Sequence, residues 1–197
     1  RIFDMILTIL LLLVTWPIFL LLALLVRLDS KGPILYTQKR LGQNGELFDS
    51  YKFRTMFEDA EGKLQEVLDA DPEAKQEYQT YHKLVNDPRV TRVGKFLRRY
   101  SLDELPQFIN VLKGDMNLIG PRSYLPQELP VMGASARVIL KVRPGITGWW
   151  QISGRGNKAK YLHVEDDLYY IQNYSLLLDL RIIWRTLGAV LKGEGAF

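Results

Sequence analysis

Two adjacent carboxylates, Asp103 and Glu104, sit in the run Ser101-Leu102-Asp103-Glu104-Leu105-Pro106. Paired acids of this kind can hold Mg²⁺, which takes few protein ligands and completes its shell with phosphate oxygens. They can also do structural work. Ser101 and Glu104 have the spacing of a helix capping box, and acids favour helix amino termini. With Ser101 as the cap, Pro106 becomes the fifth helical residue, where its ring fits poorly. A start nearer Leu105, with Pro106 in the first helical position, suits proline better. The acids then stand at the positive end of a helix, beside Arg89, Arg92, Lys95, Arg98 and Arg99. A phosphate placed there would meet cations, backbone N–H groups and a carboxylate. On these residues alone both readings stand, and the cap is the more economical.

Other chemistries find little support. His82 and His163 are isolated and form no metal pair, and the chain has no cysteine. That excludes a disulfide framework, a thiolate zinc site and a cysteine nucleophile. There is no G-x-S-x-G, no Walker loop and no G-x-G-x-x-G after a strand. Further guanidinium groups lie in loop-like segments at Arg122, at Arg143 in Arg143-Pro144-Gly145-Ile146-Thr147-Gly148, and at Arg155 in Ser153-Gly154-Arg155-Gly156.

The elements that must position these groups are legible in outline. Leu105, Phe108, Ile109 and Leu112 predict an amphipathic helix ended by Gly114. Ile34 to Thr37 and Leu47 to Thr55 read as strands of a hairpin, with Gly42-Gln43-Asn44-Gly45 as its turn. Residues 58–87 hold nine carboxylates against three lysines, a net charge of −6, so the remainder carries +10 of the total +4. That acidic stretch predicts two solvated helices split at Asp71-Pro72. Arginine and lysine at a spacing of three over residues 89–98 predict a sloping basic stripe. No aromatic platform for nucleic acid accompanies it, so anionic headgroups or a phosphorylated substrate are the better partners. From Ser175 on, Leu177, Leu180, Trp184 and Leu187 share one side of a helix, and Arg181, Arg185 and Lys192 form a narrow basic stripe. An interfacial membrane helix has this pattern, although a core helix with one wet edge also fits.

Residues 5–26 contain no charged side chain. As a helix they reach roughly 33 Å, against a hydrocarbon core of about 30 Å. No cleavage site follows, which argues against a signal peptide. Pro17 near the middle removes a hydrogen bond to Leu13 and must bend or break the helix; Thr15 is near enough to re-satisfy a freed group. Basic residues flank both sides (Arg1 before; Arg27, Lys31, Lys39 and Arg40 after), so a hairpin that dips into lipid and returns competes evenly with a kinked single span. The rest of the 197-residue chain, 24% charged and 47% hydrophobic, is that of a folded domain. The first residue is Arg1, as expected for a piece of a longer protein.

Five motifs occur in order: Lys52-Phe53-Arg54-Thr55-Met56; Ser101-Leu102-Asp103-Glu104-Leu105-Pro106-Gln107; Asn110-Val111-Leu112-Lys113-Gly114-Asp115-Met116; Gly120-Pro121-Arg122; and Arg143-Pro144-Gly145-Ile146-Thr147-Gly148. Together the chain strongly resembles the bacterial sugar transferase family, the monotopic phosphoglycosyl transferases, over nearly its whole length. The resemblance implies an α/β fold, mostly helical with a small β-hairpin. It implies a re-entrant helix–break–helix over residues 1–31, broken at Pro17, and a cytoplasmic catalytic domain over 32–197 with residues 58–87 as an acidic insertion. The implied activity transfers a sugar-1-phosphate from a UDP-sugar to undecaprenyl phosphate on the cytoplasmic face of the bacterial inner membrane, initiating surface polysaccharide synthesis. Asp103 resembles the nucleophile that takes the phosphosugar and releases UMP. Glu104 resembles its partner and a Mg²⁺ ligand. Lys52, Arg98, Arg122 and Arg143 match residues that steady phosphates.

The resemblance has departures, with Trp16 where relatives often carry Ser and Ser123 where they commonly carry Pro. The longer insertion resembles the larger hexose-1-phosphate transferases, hence glucose or galactose as the sugar. Membrane lipids are an expected partner, nucleic acid is not, and oligomeric state stays open with a homodimer among the options. The competing reading is a membrane-anchored scaffold that binds anionic lipid without catalysis, with Asp103-Glu104 as a mere cap. A direct ternary-complex transfer is a third.

Overall fold

The computed structural model describes residues 2–81, 84, 86–153 and 163–193. Its first element, α1 (Ile2–Asp29), is a single helix with Pro17 inside it. Thus the proline does not divide the segment into two helices. Thr15 donates its hydroxyl to the Leu11 carbonyl at 2.7 Å, so it does not serve the Leu13 carbonyl that Pro17 leaves without its N–H partner. Trp16, Pro17 and Ile18 are all exposed. Particular residues of each half pack inward. Leu7 packs on a core of Val111, Met116, Leu118 and Ile182, while Leu22 and Val26 are buried with Phe53 and Leu97. Both halves of α1 therefore rest on the same body, and Phe3, Ile6, Leu10, Leu13, Leu20, Leu24 and Leu28 line its open side.

The hairpin forms as expected, but its first strand runs further than the sequence suggested. Strands β1 (Leu35–Leu41) and β2 (Leu47–Phe53) pair antiparallel, with Tyr36 opposite Lys52 and Arg40 opposite Phe48. Alternation puts Tyr36, Gln38, Arg40, Phe48, Ser50 and Lys52 on one face. Asn44 takes the left-handed conformation in the turn, a role its short side chain tolerates. The acidic segment makes α2 (Ala60–Ala70) and α3 (Pro72–Tyr81), divided at Asp71. Asp71 accepts the Glu73 and Ala74 N–H groups, capping α3 ahead of its Pro72.

Helix α4 (Arg92–Arg99) starts after the Thr91 cap, so the expected basic stripe is interrupted. Arg89 lies outside the helix, clasped by Asp87 at 2.7 Å, and Arg98 turns inward to Thr55. Helix α5 (Gln107–Lys113) ends at Gly114, as read from the sequence. The segments expected to be loops instead supply β3 (Asn117–Ile119) and β4 (Gly145–Thr147), a parallel pair. Three-residue strands are too short to show an alternation. The backbones meet so closely that a Cβ on Gly145 would lie 2.1 Å from the Gly120 nitrogen.

Short helices α6 (Leu129–Met132), α7 (Ala136–Ile139) and α8 (Trp149–Ser153) follow, then α9 (Val164–Gln172) and α10 (Leu176–Lys192). Ser175 caps α10 by accepting from the Leu178 N–H. Leu178 and Ile182 are buried, whereas Leu177, Leu180, Trp184 and Leu187 are exposed. This favours the interfacial reading of α10 over a core helix.

Asn110, fully buried on α5, fastens that helix to the free edge of β2. It accepts from the Tyr51 N–H at 3.1 Å and donates to the Asp49 carbonyl at 2.7 Å and to Asp115 at 2.9 Å. Removing it strands a strand N–H and C=O away from water. Asn110→Ala should cost about 2–4 kcal/mol in denaturant unfolding; a loss below about 0.5 kcal/mol would contradict this role.

Candidate active site

Asp103 and Glu104 occupy one turn of 3₁₀ helix, Leu102–Glu104, that ends two residues ahead of α5. Ser101 enters it at φ 53° and its hydroxyl caps nothing. The Glu104 N–H bonds to the Ser101 backbone carbonyl instead. The capping-box reading is thus overturned: a left-handed residue points its side chain away from the N–H groups a cap must meet. Pro106 stands just before α5 rather than inside it.

Freed from capping, the carboxylates face cations from two other elements. Lys52 on β2 places its Nζ 2.6 Å from Glu104 Oε1. Arg98 on α4 donates from Nε to Thr55 Oγ1 at 2.9 Å, and its charge is felt by Asp103. Burial pushes the Asp103 carboxyl above the ordinary range; Lys52 opposes this, Glu104 adds to it, and Arg98 opposes it again. Burial likewise pulls the Arg98 guanidinium below its usual value, with Asp103 the largest influence in the other direction. Each charge is costly alone and is held by its opposite.

Arg40 belongs to the same cluster. It donates to the Ser123 carbonyl at 2.8 Å and to Gln38 at 2.9 Å. Burial and the Arg122 charge lower its pKa, while Glu128 and Glu104 raise it. Sequence reasoning treated Arg40 only as a basic flank. The signal that could have found it is the hairpin alternation, which puts Arg40 on the face of Lys52 once β1 is extended past Thr37.

Arg122 sits next to this cluster. Its Nη2 lies 3.0 Å from Glu128, which is 1% exposed. Its backbone N–H donates to Asp167, which also receives the Tyr124 hydroxyl at 2.5 Å. Its guanidinium lies over the Trp150 ring at 5.8 Å. Glu128 and Asp167 had no motif to mark them. Arg143 lies elsewhere. It lines a polar hollow of about 170 Å³ with Gln43, Glu46, Gly114 and Asp115, at the end of α5 opposite the acids. His163 pairs with Asp166 at 3.1 Å; His82 and Arg155 fall outside the described residues.

Among the described residues no group of three or more acids or histidines could cage a metal. Two adjacent carboxylates, one of them already sharing a lysine, do not make an all-protein site. They do fit an ion that keeps most of its shell for phosphate oxygens and water.

Comparison with known proteins matches residues 1–193 to the family described as bacterial sugar transferase. Over 197 residues the chain is 44% identical to an exopolysaccharide production protein ExoY of Sinorhizobium fredii, covering all of this chain and 87% of that protein. It is 42% identical over 197 residues to an undecaprenyl-phosphate galactose phosphotransferase of Salmonella typhimurium, covering all of this chain and 41% of that protein. Identity is 40% over 210 residues with an undecaprenyl-phosphate glucose phosphotransferase of Komagataeibacter xylinus, covering all of this chain and 36% of that protein. The chain thus spans most of the first relative and less than half of the other two.

The network behind Arg122 makes a pH prediction. Burial pushes Asp167 up to about 7, against the hydrogen bonds from Tyr124 and Arg122, from a usual value of 3.8. A carboxyl raised in this way gives stability that is complete below about pH 4 and is lost as pH rises through about 7. Asp167→Asn cannot ionise, so its unfolding free energy should fall less than that of the wild type between about pH 4 and about pH 8. Urea titrations at several pH values check this, and parallel profiles would contradict it.

Proposed function

The chain belongs to the bacterial sugar transferase family, and on that premise we propose that it moves a hexose 1-phosphate from a UDP-hexose to undecaprenyl phosphate. The hexose is glucose or galactose, the sugars in two relatives' names. The observation that carries the reading is the Asp103-Glu104 pair, released from capping and faced by Lys52 and Arg98.

In the first half-reaction a carboxylate oxygen of Asp103 attacks the β-phosphorus of the UDP-hexose. The bond from that phosphorus to the bridging oxygen breaks, and UMP departs with the electron pair. An oxygen of undecaprenyl phosphate then attacks the same phosphorus and displaces the Asp103 carboxylate, yielding the lipid diphosphate sugar and the starting enzyme. Charge spreads over phosphoryl oxygens in both steps, so fixed cations supply much of the stabilisation. Lys52, Arg98 and Arg40 are placed for the reacting phosphate, and Arg122 for a neighbouring one. Arg143, which lines the hollow at the Gly114 end of α5, is not assigned to it. Glu104, with Asp103 beside it, would hold Mg²⁺, whose charge would offset that of the diphosphate.

The acceptor is a lipid, and α1 supports a site held at the inner membrane on the cytoplasmic side. On this reading α1 enters and leaves lipid on one side, which the docking of Leu7 and Val26 on the same body supports. The open face of α10, with Trp184 79% exposed, lies at the headgroup level. The scaffold reading loses its main support with the cap.

Two experiments test this. Wild-type protein with Mg²⁺ should release UMP from UDP-glucose or UDP-galactose, and Asp103→Asn should lower that rate by about 10³-fold or more; near-normal turnover of the variant would refute the covalent role. Single cysteines introduced at Phe3 and Lys31, in a chain with none of its own, should both be labelled from the cytoplasmic side. Labelling from opposite sides would refute the re-entrant path.

A further inference from the structure

Arg54 is 7% exposed and touches neither carboxylate. Its Nη2 donates to the Ser30 carbonyl at 2.7 Å and its Nη1 to the Lys31 carbonyl, the last carbonyls as the chain leaves α1. Only glycine fits at position 32. Its φ is +115°, and a Cβ there would stand 1.9 Å from Arg54 Nη1. The strip around Arg54 runs in several directions at once. Lys52 reaches Glu104. Phe53 packs at a tilt against Phe19 of α1, ring centroids 4.8 Å apart. Thr55 accepts from Arg98 through its hydroxyl and from the Thr91 N–H through its carbonyl. Gly94 of α4 is pressed onto that same carbonyl, where a Cβ would come within 2.1 Å. Asp29, at the end of α1, accepts from the Val93 N–H and so holds the first turn of α4.

Resting on the reading of Asp103 and Glu104 given above, we propose that Arg54 is a positioning residue for phosphoryl transfer. By gripping the end of the membrane helix, it fixes the Lys52–Thr55 strip so that Lys52 and Arg98 stand against the two carboxylates. The seating of α1 and the geometry of the reacting centre are then one mechanical unit. A guanidinium suits this task because its planar fork serves two carbonyls at once, while a lysine ammonium in its place keeps the charge and loses the fork. Misplacing a catalytic group by about 1 Å costs on the order of a hundredfold in rate, so the effect belongs in kcat.

The test uses the full chain in lipid nanodiscs with UDP-glucose or UDP-galactose, rates being normalised to active sites counted by the UMP burst. Wild-type turnover is measured first, so that failure of the general reading shows there and not in the variants. Arg54→Gln should lower kcat about a hundredfold while the KM for the UDP-hexose changes by less than about threefold and co-sedimentation with membranes is unchanged. Arg54→Lys should recover to within about tenfold of wild type. Gly32→Ala, which pushes the guanidinium aside without removing it, should show the same kcat loss and gives the answer if Arg54→Gln does not fold. The combination of Arg54→Gln with Thr55→Val should cost no more than the worse single change. The proposal is overturned if kcat per active site is unchanged in Arg54→Gln and Gly32→Ala, if Arg54→Lys is no better than Arg54→Gln, or if the two losses multiply independently.

Discussion

Two neighbouring carboxylates drawn partly out of water need compensating charge, and much of the architecture follows from that need. Neither Asp103 nor Glu104 meets a cation within its own turn of helix, Leu102–Glu104. The cations come from the β1–β2 hairpin, whose Lys52 lies 52 positions before Glu104, and from α4 just ahead of the acids, so the hairpin and α4 must be locked together before the acids can be tolerated. Lys52 meets Glu104 directly, and Arg98, brought near Asp103 by the end of α4, has its Nε held by the Thr55 hydroxyl. The balance leaves Asp103 with a raised pKa, led by burial. On the proposed mechanism, such a carboxylate, short of full solvation, would bond to phosphorus once a phosphate and its counterion arrive.

On the proposed function, the same locking would tie the chemistry to lipid. α1 lies along the body of the protein with both halves seated, and its apolar open side continues the hydrophobic theme of α10. An enzyme whose acceptor keeps its phosphate at the headgroup level gains from a reacting centre fastened to a helix at that level. The Arg122 side of the cluster is built differently. Its guanidinium already has a buried partner in Glu128, and its backbone is pinned by Asp167. One side of the site therefore has cations committed to the acids, while the other has a cation held rigidly by its own second carboxylate.

Much of this could be read from the residues beforehand, and the exceptions are instructive. The long apolar segment, the hairpin with its Asn44 turn, the two acidic helices split at Pro72 and the amphipathic α5 all announce themselves through period or punctuation. The parallel pair β3–β4 does not, because three-residue strands flanked by glycine look like loops. The capping box at Ser101 fitted local rules and was defeated by a left-handed backbone that spacing cannot reveal. Lys52, Asp103, Glu104 and Arg122 lie in motifs and Arg98 in the basic stripe ahead of them, whereas Arg40 is visible only through the register of a strand that runs past Thr37. Glu128 and Asp167 are ordinary acids in sequence, and burial alone distinguishes them. Arg143 shows the converse: a residue singled out by its motif that folds to the far end of α5.

The central claim is a bond between Asp103 and phosphorus, and intact-mass analysis of the protein given UDP-hexose and Mg²⁺ without lipid acceptor tests it most directly. The expected result is one hexose phosphate added per chain, mapped to the peptide that carries Asp103, and discharged when undecaprenyl phosphate is supplied. A protein that gains no mass, and forms UMP only when the lipid is present, would contradict it.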